Sequence, residues 1–156
     1  MRAAALLMQA ALLVGCAQPA SRVAQGDRLP VLKPIQVGAP SWYVEGAPGV
    51  AGQANHGYNS NAGFVITDAG VVVIDTLGTP ALGAALIGAI RTVTTKPIVR
   101  VILTHFHADH FYGLAAFKAL DVEVYAQVAG IDYTDSPEAR RRHAQRARDL
   151  APWVQA

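Results

Sequence analysis

The stretch Thr104-His105-Phe106-His107-Ala108-Asp109-His110 concentrates three imidazoles and one carboxylate in a short segment. In an extended chain, side chains two positions apart point the same way, so His105 and His107 are placed to share one cation. Asp109 and His110 are placed to turn toward a second cation as the chain enters the next helix. Imidazole combined with carboxylate suits zinc, iron and similar divalent metals. The stretch therefore predicts a metal site.

The run before this stretch, residues 98–103, is β-rich and apolar at every position except Arg100. Such a run predicts a strand that is buried over most of both faces. Ligand sites in α/β sheets lie beyond the carboxyl ends of strands. The histidine-rich loop that follows the run therefore falls where a site is expected.

The rest of the sequence alternates predicted strands and helices. The β-rich runs 62–67 and 71–75, separated by Asp68-Ala69-Gly70, predict a hairpin. Thr79 followed by Pro80 predicts the capped start of a helix that extends to Val93. Further strands are predicted over 41–45 and 122–126, and further helices over 112–120 and 136–150. This order predicts one α/β domain with helices packed on a mixed sheet.

The N-terminus has the pattern of an export signal. Met1-Arg2 is followed by an uncharged run, 3–14, and then by Gly15-Cys16, which gives a basic region, an apolar region and a small-residue processing site. The run is too short to span a bilayer, and a short buried helix is the alternative. Leu13-Val14-Gly15-Cys16 resembles the lipobox of bacterial lipoproteins. The resemblance implies a signal peptide over 1–15, lipidation of Cys16, and a periplasmic protein anchored by lipid, with the outer membrane as the expected location.

Composition indicates where the domain begins, what the C-terminal basic residues do and which nucleophiles are absent. Four prolines in 18–40 indicate a tether, assigned to 16–40, before a domain over 41–156. Basic residues near the C-terminus are interleaved with alanine rather than with aromatic residues, which favours a solvated helix face over a nucleic-acid or lipid patch; they are Arg140, Arg141, Arg142, Arg146 and Arg148. The only cysteine is Cys16, and there is no Gly-x-Ser-x-Gly elbow. Neither a cysteine nor a serine nucleophile is therefore expected.

The pattern His-x-His-x-Asp-His, with 71–76 and Asn61-Ala62-Gly63-Phe64 before it, resembles the metallo-β-lactamase superfamily over about residues 41–128. The resemblance implies an αββα sandwich of which this chain holds the N-terminal αβ half. It implies that His105 and His107 bind one zinc ion, and that Asp109 and His110 bind a second. Asp109 would also orient the nucleophile. Asp75 would support the histidine loop, and an ordinary turn aspartate is the other reading of Asp75.

Because position 110 is histidine, the motif is more similar to that of the third lactamase subclass, glyoxalase II and lactonase-like enzymes. With the export signal and the Asn-rich loop over 46–61, the motif also resembles hydrolases associated with periplasmic quinoprotein systems. These likenesses imply a small-molecule substrate and a metal-bound hydroxide that attacks the carbonyl of an ester, thioester, lactone or β-lactam.

The sequence departs from this family after the motif. Family members carry a second αβ half with a third histidine, a bridging aspartate and a last histidine, whereas this sequence stops at Ala156. His143, on a charged helix, is expected to be a surface residue, and His56 a loop or pocket-rim residue. We expect a truncated chain that is inactive alone, or secondly a short form that self-associates. A non-catalytic metal-binding or interaction lipoprotein is the alternative function. A two-iron redox enzyme is disfavoured, because it would usually carry glutamate in place of a motif histidine.

Overall fold

A six-stranded mixed sheet forms the centre of the computed structural model, which describes residues 28–151 and 153–154. The strands are β1 (Ile35–Gly38), β2 (Ser41–Val44), β3 (Ala62–Ile66), β4 (Val71–Ile74), β5 (Ile98–Ile102) and β6 (Glu123–Tyr125), and they lie in sequence order across the sheet. β1 to β4 are antiparallel, whereas β4, β5 and β6 are parallel. The α/β fold with a mixed sheet, predicted from the sequence, is confirmed.

Helices make the two parallel crossovers and continue the chain beyond the sheet. They are α1 (Pro80–Val93), α2 (Ala108–Phe111), α3 (Ala129–Thr134) and α4 (Pro137–Asp149), with 3-10 helices over Gln53–Asn55 and Tyr112–Ala119. The Thr79 hydroxyl accepts a hydrogen bond from the amide of Leu82, and the Ser136 hydroxyl caps α4 in the same way. Proline follows each cap, where its missing N–H costs nothing. Along the described part of the chain, no helix is long and apolar enough to cross a membrane.

The core lies between one face of the sheet and the layer formed by α1 and the 3-10 helix Tyr112–Ala119. Fully buried side chains from both layers meet there: Val44, Phe64, Val71, Val73 and Val101 from the sheet, and Leu82, Leu86, Ile90 and Phe117 from the helices. Burial of each such side chain stabilises the fold by roughly 1.5–3 kcal/mol. The layer fixes the path of the loops at the carboxyl ends of β4 and β5.

The structure corrects the prediction for β5. Ile98 and Val101 are buried toward the helices, but Ile102 is 38% exposed on the other face, so burial over most of both faces was wrong for the described residues. Arg100 lies on that more open side, where it pairs with Glu123 and sits 4.8 Å from the centre of the Tyr125 ring. The apolar run of β5 thus corresponds to a strand with helices packed on one face of the sheet, and not to a strand covered on both faces.

The helix predicted over 112–120 is confirmed in position, and its type is now defined. A short α2 leads directly into a 3-10 helix over Tyr112–Ala119. The amide of Gly113 donates to the carbonyl of Leu77 at 2.9 Å, so a tertiary contact replaces the bond it would make within an α-helix. α3 was not predicted.

The domain begins earlier than residue 41. The segment 16–40 was predicted to be a tether, but residues 35–38 form β1 and Leu32 is buried in the core. The predicted signal peptide over 1–15 and the lipidation residue Cys16 lie outside the described residues.

Candidate metal centre

The histidine loop leaves the sheet beside the end of β4. The amide of Asp75, the residue after β4, donates to the carbonyl of Ile102 at 2.9 Å. Parallel strands end at the same edge of a sheet, so Asp75 and Thr104 meet there. The structure thus brings the predicted supporting aspartate against the start of the predicted ligand loop.

Asp75 is buried, has a backbone φ of 61°, and directs both carboxylate oxygens at the loop. One oxygen accepts from the amide of Thr104 at 2.8 Å. The other accepts from the Thr104 hydroxyl at 2.7 Å and from Nδ1 of His110 at 2.8 Å. A carboxylate only accepts hydrogen bonds, so His110 must carry its proton on Nδ1. In the neutral ring, the Nε2 lone pair is then left for another partner.

The Thr104 hydroxyl determines the tautomer of His105. Nδ1 of His105 lies 3.0 Å from the Thr104 hydroxyl oxygen. The single proton of that hydroxyl is donated to Asp75, so the hydroxyl accepts from Nδ1 of His105. In the neutral form of both rings, these hydrogen bonds place the proton on Nδ1 and leave Nε2 of His105 and of His110 unprotonated, which is how hydrogen-bond partners commonly prepare histidines for a metal.

The rings of the motif form one cluster. The centre of the His105 ring lies 4.7 Å from that of His107 and 4.1 Å from that of His110. Burial, followed by the nearby His110 and His107, lowers the pKa of His105. A lowered pKa keeps the imidazole neutral, and only a neutral imidazole binds a metal.

Asp109 lies in the first turn of α2 and is held by the loop before β3. Nδ2 of Asn59 donates to Oδ2 of Asp109 at 3.0 Å, and the Ser60 hydroxyl donates to the Asp109 carbonyl. The same carboxylate oxygen is 3.8 Å from Nε2 of His110. Oδ1 of Asn59 is buried without a hydrogen-bond partner. Asn59 and Ser60 were not predicted as site residues, although they lie in the Asn-rich loop over 46–61.

The donor chemistry of the cluster fits zinc, because neutral imidazoles and a carboxylate are its usual nitrogen and oxygen ligands. His105 and His110 offer Nε2, and Asp109 offers a carboxylate next to them. Within residues 28–151 and 153–154, however, no group of three or more histidine, cysteine, aspartate or glutamate side chains is arranged to hold one ion.

The two other described histidines have different neighbours. The ring of His143 lies 5.3 Å from that of Tyr112, and His143 lines a cavity with Lys118 and Arg140. The ring of His56 lies 4.7 Å from that of Trp153. His107 and Asp109 instead line a cleft of about 480 Å³ with Asn59 and α4.

Fold and sequence together define the class. A family model of the metallo-beta-lactamase superfamily matches residues 57–152, which is more than half of the chain. The chain belongs to the metallo-beta-lactamase superfamily. The matched span includes the hairpin, the histidine loop and α4.

Individual relatives share smaller parts of the chain. A linear primary-alkylsulfatase from Pseudomonas sp. (strain ATCC 19151) is 32% identical over 69 residues, which cover 40% of this chain and 13% of that enzyme. The crystal structure of a metallo beta lactamase from Hirschia baltica superposes with a TM-score of 0.52 at 21% identity, covering 65% of this chain and 46% of that one. The chain thus spans about an eighth of the curated relative and just under half of the solved structure.

Proposed function

We propose that this chain provides the His105–His110 metal site of a zinc-dependent hydrolase. The observation that carries the proposal is the hydrogen-bond chain from Asp75 through Thr104, which leaves Nε2 of His105 and of His110 unprotonated beside Asp109. Two unprotonated imidazole nitrogens next to a carboxylate are the donor set that zinc uses. His105 and His107 would hold one ion, and Asp109 and His110 a second.

Zinc, when bound, makes water a competent nucleophile near neutral pH and polarises the bond that is cleaved. The residues of the chain position that chemistry. Asn59 holds Oδ2 of Asp109, so the carboxylate has a fixed direction from which to orient a nucleophile. Asp75 fixes the planes of two imidazoles.

The proposed substrates contain a bond whose hydrolysis produces an acid, as in an ester, thioester, lactone or β-lactam. The alkylsulfatase relative adds sulfate esters to this set. A metal-binding lipoprotein without turnover is the alternative function.

The test is turnover against one β-lactam, thioester, lactone, carboxylic ester and alkyl sulfate, using zinc-loaded protein expressed from its own gene. Asp109→Asn keeps the shape of the side chain and removes its charge, and it should reduce turnover at least about 100-fold, since a ligand and an orienting group change together. Asp68→Asn is the matched control, because Asp68 lies on the exposed hairpin turn and outside the cleft. Measurable turnover that is equal in Asp109→Asn and its parent would exclude the proposed role.

The 156-residue chain should itself turn over slowly. A catalytic zinc normally has three protein ligands besides water, and the motif offers two side chains to each ion. We expect at least about ten-fold lower zinc affinity than in a complete site. Turnover equal to that of a full-length family member would contradict this expectation.

We further propose that Cys16 is lipidated and anchors the protein, on the periplasmic side, to the outer membrane. Two or more acyl chains give stable anchoring, so the mature protein should sediment with membranes. Cys16→Ser should release it into the soluble fraction or leave the signal peptide attached. Membrane association and processing unaffected by Cys16→Ser would exclude the anchor.

A further inference from the structure

The cleft at His107 and Asp109 has a second wall made by α4. Arg142 and Arg146 are one helical turn apart on that wall, and Tyr133 of α3 lies near them. The sequence predicted that the arginines of this helix form a solvated face. Four of these five arginines are exposed, as predicted, and Arg146 is partly buried; Arg142 and Arg146 also line the cleft that contains the proposed metal ligands.

The arginines of α4 differ in what their guanidinium groups contact. Arg140 donates to the carbonyl of Asp135, Arg141 to Glu138 and Arg148 to Gln145, all within a few residues along the chain. These are ordinary local contacts of a helix surface. They leave those three arginines little role beyond the helix itself.

The two cleft arginines retain donors for another partner. Glu138 accepts from Nε of Arg142 at 2.7 Å, so the two terminal nitrogens of Arg142 remain available. Arg146 is partly buried, and among the described residues no carboxylate lies within ion-pairing distance of it. Asp149 is the opposing charge on this wall, and one of its oxygens accepts from Gln145 at 2.7 Å. A guanidinium that is partly removed from water without an ion pair favours an anion from outside the chain.

We propose that Arg146, assisted by Arg142, forms a subsite for an anionic group of the substrate, a carboxylate or a sulfate. The planar fork of arginine matches the paired oxygens of either group. The anion would bind on the α4 wall while the bond to be cleaved lies at His107 and Asp109 on the other. The assignment of this anion to a substrate rests on the proposed hydrolase function, but anion binding itself does not.

The test measures binding of hexanoate, hexyl sulfate and the neutral hexanamide by calorimetry, with the 156-residue chain treated with EDTA so that no metal competes for the anion. Arg146→Gln should weaken the binding of both anions at least about five-fold, because it removes a charge-assisted contact. The binding of hexanamide should be unchanged, because hexanamide carries no charge. Arg148→Gln, on the same helix but outside this cleft, should stay within about two-fold. Arg142→Gln should give a smaller loss than Arg146→Gln, and far-UV circular dichroism verifies that each variant is folded.

The comparison of the two anions identifies the source of the charge, since tighter hexanoate indicates a substrate with a carboxylate and tighter hexyl sulfate a substrate with a sulfate group apart from the bond that is cleaved. Equal binding of the amide and both anions would overturn the subsite, as would equal losses in Arg146→Gln and Arg148→Gln. Absence of zinc uptake or turnover would count against the hydrolase alone. Loss of the Arg146 dependence with turnover intact would count against the subsite alone.

Discussion

At the residue scale, one buried carboxylate determines which nitrogen each of two histidines presents. Asp75 accepts three hydrogen bonds, and the Thr104 hydroxyl relays its effect to His105. A φ of 61° is uncommon for a residue with a side chain, and aspartate and asparagine adopt it more readily than most. The position is thus suited to short polar side chains, and the charge distinguishes aspartate from asparagine.

Asp75→Asn should keep the fold and weaken zinc binding by about 10–100-fold. The side-chain amide of asparagine has one accepting oxygen where the carboxylate has two, so it cannot accept all three hydrogen bonds from Thr104 and His110. His110 would then move its proton to Nε2, the nitrogen needed by the metal. Zinc affinity, measured by competition with a chromogenic chelator, checks this. Asp68→Asn, on the exposed hairpin turn, is the matched control, and equal affinities in both variants would contradict the role of Asp75.

Tyr58, in the loop before β3, should make the stability of the protein depend on pH in the alkaline range. Tyr58 is buried, and burial, with the negative charge of Glu45 as the smaller cause, raises its pKa from 10.0 to about 12. The native state therefore holds the phenolic proton more tightly than the unfolded state, and stability falls as pH rises from about 10 to about 12. Tyr58→Phe should remove this part of the alkaline loss in urea unfolding measured across that range. An unchanged slope would contradict the shift.

At the scale of elements, the site depends on how closely α1 approaches the 3-10 helix Tyr112–Ala119. Gly83 and Gly113 face each other there, and a Cβ at Gly113 would overlap the carbonyl oxygen of Thr76. The amide of Thr76 in turn donates to the carbonyl of His110 at 2.8 Å. The close approach thus connects helix packing to the position of a proposed ligand.

Gly113→Ala should destabilise the protein by about 1–3 kcal/mol, because backbone atoms must move to admit the methyl group. Gly88→Ala is the matched control in α1, where a Cβ would meet no atom within 4 Å. That change should be neutral or stabilise by about 0.5–1 kcal/mol. Chemical denaturation of both variants gives the comparison, and equal stabilities would show that the crossing tolerates a wider spacing.

Elements with strong local signals were predictable from sequence. α1 follows from the Thr79 cap and Pro80, and the β3–β4 hairpin from two β-rich runs around a glycine turn. The helix over Tyr112–Ala119 was predicted too, but its 3-10 form was not, because the amide of Gly113 bonds to Leu77, which lies far away in sequence. β1 is a short, fully exposed edge strand between Pro34 and Pro40, and these prolines led to the prediction of a tether.

At the scale of the whole molecule, the chain combines a helix-covered core with a site at one edge of its sheet. The motif itself was evident in sequence, but its support was only partly so. Asn59 reaches Asp109 across 50 positions of sequence, and Arg146 lines the cleft because of how α4 lies against the domain. Contacts of that kind depend on the tertiary path of the chain.

The central claim is that the His105–His110 loop binds zinc, and the metal content of purified variants tests it most directly. His105→Ala and His107→Ala should each lower bound zinc at least about ten-fold, because a ligand on a fixed loop is lost. His143→Ala should stay within about two-fold of the parent, since His143 packs against Tyr112 and lines a different cavity. Mass-spectrometric zinc analysis after dialysis gives the ratio. Equal zinc loss in all three variants, or full zinc content in His105→Ala, would contradict the account.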